Sequence, residues 1–475
     1  MARKSKVEQF THEGAIAGVI TPKKQLRRVV MSTMLWEPNA YESGQEIADN
    51  IAKTVKAVPP AFALKVAVEA RDVMHLRHVP LWVAANMATF SPSNLKNHPK
   101  GTYHDDWNNS VVVSSFIEDA VYYTVQRPDE IGEFINLYHI VNGKRAPLPA
   151  SVKKGLARAF NKFNPYQLAK WNKDSKVRLR DAIQMVHPKP ETQDQADLYK
   201  KILDGTLMSP PTWEQQLSSG LAKKDVFEGL LKAKELGGLA TLRNLRNMID
   251  AKVDKKLIKD RLEKGEGFDK ILPFSFITAY RILLGSEPTL IPSLESAMFK
   301  SLRNIEKLPG KTALIIDLSG SMGSRLSGKS ELTCYDAAAA LSMLAKQICD
   351  EAVIFGTAGT YNTHKTEKLK DISGFALTEH IVSRTHALGG GGIFLVQCLE
   401  WIKNNHPDQY ARVIVFTDEQ DCDRKCNPAT APQLGISNYI VNISSNKNGI
   451  AYTNGWNHIN GFSERIFDYI TESEK

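Results

Sequence analysis

The chain has 475 residues, more than a single hydrophobic core usually organises, so two or three domains are expected. Its composition is that of an ordinary soluble globular protein, and no apolar run approaches the roughly 18 residues that span a bilayer, which excludes a helical membrane protein. The opening Met1-Ala-Arg-Lys-Ser-Lys6 leads into no apolar signal region, so the cytoplasm is the expected compartment. Cys334, Cys349, Cys398, Cys422 and Cys426 all fall in the C-terminal third, and their odd number argues against a disulfide framework. Cys422-x-x-x-Cys426 lacks the second Cys or His pair that a zinc site needs.

Charge is unevenly placed. Of the net +9, residues 311–475 hold 15 Lys and Arg against 18 Asp and Glu, so residues 1–310 carry +12. Between Lys144 and Lys189 twelve basic residues face two acidic ones, Asp174 and Asp181, a surplus larger than that of the whole chain. Such a block among apolar helices is the electrostatic footprint of a nucleic-acid binder.

Residues 1–284 are expected to form one helical domain. From about Gln25 onward the sequence reads as helices broken at Pro59-Pro60, Pro80, Pro128, Pro165, Pro188 and Pro273, with little period-2 alternation. The spacing suggests stacked helix pairs, an α-solenoid, although no self-similar repeat is visible. Ser151 to Phe163 places Val152, Leu156, Phe160 and Phe163 on one helical face and Lys154, Arg158 and Lys162 on another. The next patterned helix, from about Ser175, buries Leu179, Ile183 and Val186 and sets Lys176, Arg180 and His187 within roughly 40° of one another. A solvated Lys-rich face is the plainer alternative, but such faces usually mix signs and this one repels itself unless an anion is present. His187, taken alone, suits a helix-terminal cap before Pro188. Further on, Arg243 and Arg246 project together beside Leu242, Leu245 and Met248, with Glu235 and Asp250 near enough in sequence to pair with them.

Residues 285–310 read as a connection, and residues 311–475 alternate strand and helix. Apolar runs at Ala313–Ile316, Ala352–Phe355, Val413–Phe416 and Tyr439–Ile443 are separated by helical patterns at Cys334–Ile348, Ile393–Lys403 and Glu464–Thr471, which specifies a doubly wound parallel sheet. The first strand runs into Asp317-Leu-Ser319-Gly-Ser321, one carboxylate and two hydroxyls at alternate positions where open α/β sheets bind ligands. That donor set suits a hard divalent cation such as Mg²⁺, which keeps several waters. The third strand ends at Asp418, another acid at a carboxyl end. The pattern resembles the metal-ion-dependent adhesion site of von Willebrand factor A domains. A haloacid-dehalogenase-type phosphatase also begins with Asp after an apolar strand, but wants a second Asp where Ser319 stands. The A-domain pattern has Gly-Gly-Thr ahead of a helix, with the threonine on the metal, whereas Gly389-Gly-Gly-Gly392 runs into Ile393, which cannot ligate. Either Asp317, Ser319, Ser321 and Asp418 bind the cation with water, or the site persists as a folded remnant.

A basic all-helical domain followed by an A domain with a degenerate metal site resembles the Ro autoantigen family, its bacterial-type members included. The helical part is similar to the TROVE module of telomerase, Ro and vault proteins. The likeness is carried by Met185-Val-His187-Pro-Lys189-Pro190, Leu239-Ala-Thr-Leu-Arg243-Asn244-Leu-Arg246-Asn-Met248 and Ile271-Leu-Pro273-Phe-Ser-Phe-Ile-Thr-Ala279-Tyr280. In the A domain it is carried by Asp317 to Met322, Val415-Phe-Thr-Asp418 and Gly455-Trp-Asn-His-Ile-Asn-Gly-Phe462. The resemblance implies a monomeric ring of HEAT-like helical repeats closed by the A domain, acting in RNA quality control without catalysis of its own. It implies small noncoding Y RNA on a basic outer face, single-stranded 3′ ends of misfolded RNA in the central hole, and polynucleotide phosphorylase as a possible partner in bacteria. By motif, Lys153, Lys154, His187 and Lys189 fall where the family contacts RNA, and Arg243 and Arg246 lie in the Leu-Arg-Asn helix. Two other readings compete. One is an A-domain adaptor recruiting a protein ligand through a metal at Asp317; the other is an enzyme using Asp317 as phosphoryl nucleophile, which the absence of a phosphate loop and of paired catalytic carboxylates disfavours.

Overall fold

The computed structural model describes residues 9–474 except 12, 18–20, 34, 39–41, 90–101, 105–109, 211–212, 219, 270, 272, 302–305, 327, 329–331, 362, 389, 425–429, 445–448, 451–454 and 463–465; Gly389, Cys426 and Glu464 of the sequence analysis therefore lie outside the described residues. The chain divides into two compact units, residues 21–37 with 43–212, and residues 1–20 with 38–42 and 213–475. The short antiparallel pair β1 (Gln9–Phe10) and β2 (Ile16–Ala17) belongs to the second.

The first unit holds α1 (Pro22–Met31), α2 (Gly44–Lys56), α3 (Pro60–Val68), α4 (His78–Met87), the pair β3 (Thr102–His104) and β4 (Ser110–Val112), α5 (Val113–Thr124), α6 (Pro128–Asn142), α7 (Ala150–Phe160), α8 (Pro165–Trp171), α9 (Leu179–Val186) and α10 (Gln193–Asp204). Of the prolines that punctuate the sequence, Pro60, Pro128 and Pro165 sit in first turns, as does Pro22, where a missing N–H costs nothing. Ser43 with Glu46 and Asn164 with Gln167 close capping boxes ahead of α2 and α8. Alternate helices pack on each other, α1 on α3, α3 on α5, α5 on α7 and α7 on α9 in one layer, α2 on α4 and α4 on α6 in the other. That two-layered stacking is the helical-repeat solenoid expected. Gly155 lets α7 approach α5 closely, since a Cβ there would stand 2.6 Å from the Glu118 carbonyl oxygen.

In the second unit α11 (Trp213–Ser218), α12 (Lys223–Lys232), α13 (Gly238–Arg243), α14 (Leu245–Asp250), α15 (Lys255–Lys264), α16 (Pro273–Ser286) and α17 (Ile291–Ser301) precede an α/β fold. Its elements are β5 (Leu308–Asp317), α18 (Cys334–Ile348), β6 (Cys349–Thr360), β7 (Thr363–Lys368), α19 (Phe375–Ser383), α20 (Leu395–Asn405), β8 (Tyr410–Thr417), β9 (Gly435–Asn442), β10 (Trp456–Asn460) and α21 (Ile466–Ser473). The sheet order is β10-β9-β8-β5-β6-β7, parallel except for β7. Central β5 is buried on both faces: Ala313 and Ile315 pack with Leu395, Val396, Leu399 and Ile402 of α20, while Leu314 and Ile316 face the opposite way, on the side where α18 lies against β5 and β6. Helix α16 packs on α18, where Arg281 is bonded to Asp336, and its Tyr280 stacks on Phe375 of α19 at 4.5 Å. The last helices before residue 310 thus share a unit with the A-type fold, although composition changes only at the sheet.

Candidate nucleic-acid interface and carboxylate site

An open groove of about 610 Å³ in the first unit is lined by Lys153, Lys154, Arg158 and Lys162 of α7 and its end, His187 and Lys189 beyond α9, and Tyr122 of α5. Local chemistry explains the convergence. His187 takes a left-handed conformation (φ 53°, ψ 55°) and caps α9 by donating its N–H to the Ile183 carbonyl at 2.9 Å, which turns the chain at Pro188. Asn161, the C-cap of α7, donates to Glu191 at 2.9 Å and accepts from Tyr199 and Gln195, tying the 187–191 segment to the end of α7. Lys153 is half-buried, and Lys154, His187 and Lys189 are exposed. Among the described residues no ion pair or hydrogen bond engages the ammonium groups of Lys153, Lys154 or Lys189.

Arg158 and Lys162 differ from that expectation of unpaired cations. Arg158 donates to Glu118 at 2.9 Å and Asp119 at 2.8 Å and lies over the Tyr122 ring at 4.2 Å. Both acids belong to α5, some forty residues upstream, and are invisible to a charge count over 144–189. Lys162 is exposed as a residue, yet its ammonium is lodged at the carboxyl end of α5, donating to the Tyr122 and Val125 carbonyls and covering the same ring. Burial and the neighbouring Arg71 push its pKa down to about 8. These two residues hold the wall of the groove and fix Tyr122, whose ring they cover.

The remaining cations lie apart. Helix α9 begins at Leu179 rather than Ser175, so Lys176 is in the preceding loop and shares no helical face with Arg180. Arg180 is exposed on α9 outside the groove lining. Arg243 and Arg246 are exposed in the second unit on either side of a helix break at Asn244, and among the described residues neither pairs with Glu235 or Asp250.

The carboxylate site is at the sheet's topological switch point, between the carboxyl ends of β5 and β8. Asp317 and Asp418 are both buried. Asp317 accepts from Ser319 N–H at 2.8 Å and from the Thr417 hydroxyl at 2.6 Å; Asp418 accepts from Gln420 N–H at 3.1 Å. The Ser319 and Ser321 hydroxyls are 3.3 Å apart, and Tyr335 fixes the turn by donating to the Ser319 carbonyl at 2.5 Å. Burial raises the pKa of Asp317, and burial together with the charge of Asp317 raises that of Asp418 to about 7. An all-oxygen set around two carboxylates that repel each other fits a hard divalent cation. Ile393 is wholly buried among Ala313, Ile315 and Leu395, so the position of the A-domain threonine serves packing. Among the described residues no cluster of three or more His, Cys, Asp or Glu forms a ligand set, so a cation here would draw on serine hydroxyls and water.

Residues 205–283 match the TROVE domain family model. The fold of the chain is similar to that of the crystal structure of the Deinococcus radiodurans RO (RSR) protein, with a TM-score of 0.60 over 96% of this chain and all of that one, at 16% identity. No curated protein matches the sequence. The segment matched by the TROVE model contains Arg243 and Arg246, while the groove cations precede it. Among the described residues no helix is long and apolar enough to cross a membrane.

Proposed function

We propose that this protein binds RNA and performs no chemistry on it, taking small noncoding RNA of the Y type on the groove of the first unit and single-stranded 3′ ends of misfolded RNA. The observation that carries this reading is the convergence of Lys153, Lys154, His187 and Lys189 on one groove. Unpaired ammonium groups meet phosphates and release counterions. A flexible single strand can bend its phosphates onto cations gathered in one groove, which a stiff duplex cannot, so the groove favours unpaired segments. An exoribonuclease such as polynucleotide phosphorylase would be the partner acting on the bound 3′ end.

The buried carboxylates support a second part of the reading. Asp317, Ser319, Ser321 and Asp418 would hold Mg²⁺ or another divalent cation, which would neutralise the carboxylate pair and fix the β5 and β8 ends. An RNA with a 3′ single-stranded tail should bind better than a blunt duplex of equal charge when both compete for the full-length protein. Equal affinities would leave only a general polyanion surface.

A further inference from the structure

An acid without a cationic partner stands in the groove of cations. Glu191 is exposed and lines the groove together with Lys153, Lys154, His187 and Lys189. Its Oε1 accepts from the Asn161 amide at 2.9 Å, and Asn161 is itself fixed, its Oδ1 accepting from the Tyr199 hydroxyl at 3.0 Å and from Gln195 at 3.1 Å. The Glu191 N–H donates to the Gln195 side-chain oxygen at 2.6 Å, so backbone and carboxylate are both held in place. Glu118, the other acid of the lining, is neutralised by Arg158. Among the described residues no cation pairs with Glu191, and its Oε2 accepts no hydrogen bond.

An ionised carboxylate can only accept hydrogen bonds. In a groove that gathers phosphates it repels the ligand unless it faces a donor. The donors of a single strand are base N–H groups, which change with sequence, and the ribose 2′-hydroxyl, which every nucleotide of RNA carries and DNA lacks. Cations that seat phosphates along the groove therefore bring ribose hydroxyls into it whatever the sequence. We propose that Glu191 is a specificity residue that distinguishes RNA from DNA: held by Asn161, its carboxylate accepts a hydrogen bond from a ribose 2′-hydroxyl. This inference rests on the RNA-binding reading above. The bond is charge-assisted, the stronger kind. A DNA strand meets the same carboxylate without that donor and is disfavoured twice, by the missing bond and by repulsion.

The test is fluorescence anisotropy on full-length wild type and Glu191→Ala with three single strands of one base sequence: RNA, its 2′-deoxy equivalent, and its 2′-O-methyl equivalent, which keeps the ribose oxygen but has no proton to donate. Wild type should bind RNA about tenfold more tightly than either other strand. Glu191→Ala should bind RNA more weakly than wild type does, and the 2′-deoxy strand as tightly or more tightly, which brings the ratio close to one. A residue that only shapes the 187–191 segment would weaken both strands alike and leave the ratio unchanged. That result, a wild type without preference for RNA, or a 2′-O-methyl strand bound as tightly as RNA would overturn the proposal and leave RNA binding standing. Failure of wild type to bind any of the strands would overturn both.

Discussion

Replacing Lys153, Lys154 and Lys189 together with Ala separates the groove's binding cations from its structural ones. None of the three ammonium groups has a protein partner among the described residues, so their loss should leave the melting temperature unchanged. Each phosphate contact on a single strand contributes about −0.7 to the slope of log affinity against log salt, so three lost contacts flatten it by about 2. Between 50 and 200 mM salt, wild type should therefore lose roughly 20-fold more affinity than the triple variant. Lys162→Ala should behave in the opposite way. It removes the cation from the Tyr122 and Val125 carbonyls at the end of α5, costing about 0.3–1 kcal/mol in stability, with a smaller change in salt slope. Fluorescence anisotropy with a labelled single-stranded RNA across a salt series, paired with thermal melts, measures both effects. A folded triple variant with the wild-type slope would refute the assignment of the groove.

Gly155→Ala drives a methyl into the Glu118 carbonyl and Val121, forcing α7 off α5; a loss of about 1–3 kcal/mol in denaturant melts should come with weaker RNA binding, and a neutral effect would mean that the helices adjust freely. Ile393→Thr restores the residue type of the A-domain pattern but places a hydroxyl in the core, so it should cost about 2–3 kcal/mol without tightening Mg²⁺ binding in calorimetry. The folded-state pKa of Asp418 lies above its ordinary 3.8, so without divalent cation the folded protein holds a proton that the unfolded chain releases. Its contribution to stability is therefore fully present below about pH 4 and is lost as pH rises through about 7. Melts in a chelator should show the advantage of wild type over Asp418→Asn shrinking across that window, and Mg²⁺ should stabilise wild type more at pH 8 than at pH 5. A constant difference between the two proteins would argue against a strained carboxylate pair.

The central strands were legible because Ala313–Ile316, Val413–Phe416 and their neighbours are apolar on both faces, and the order of those runs placed Asp317 and Asp418 at one switch point. Edge strand β7, Thr-His-Lys-Thr-Glu-Lys, carries no such signal, because an edge facing water needs no apolar run. Helix α18 begins and ends where its pattern does, since Thr333 with Asp336 caps one end and Cys349 starts a strand at the other. The boundary between units at 212/213 was not legible, because α16 reaches α18 through Arg281 and α19 through Tyr280, contacts that periodicity cannot assign to a partner. Lys153, Lys154, His187 and Lys189, which line the groove, are residues that the sequence reading singles out. Tyr122 and the acids Glu118 and Asp119 are not, because they reach α7 only through the packing of α5. The docking of Thr11 on Asp421 spans 410 residues and leaves no mark in local pattern.

Ultraviolet cross-linking of the RNA that copurifies with the full-length protein, followed by mass spectrometry of the cross-linked peptides and sequencing of the RNA, tests the RNA-binding claim most directly. Cross-links on Tyr122 and on peptides covering 150–162 and 186–191, joined to a defined small RNA, are the predicted result. Protein that copurifies without RNA, or cross-links confined to surfaces away from this groove, would contradict it.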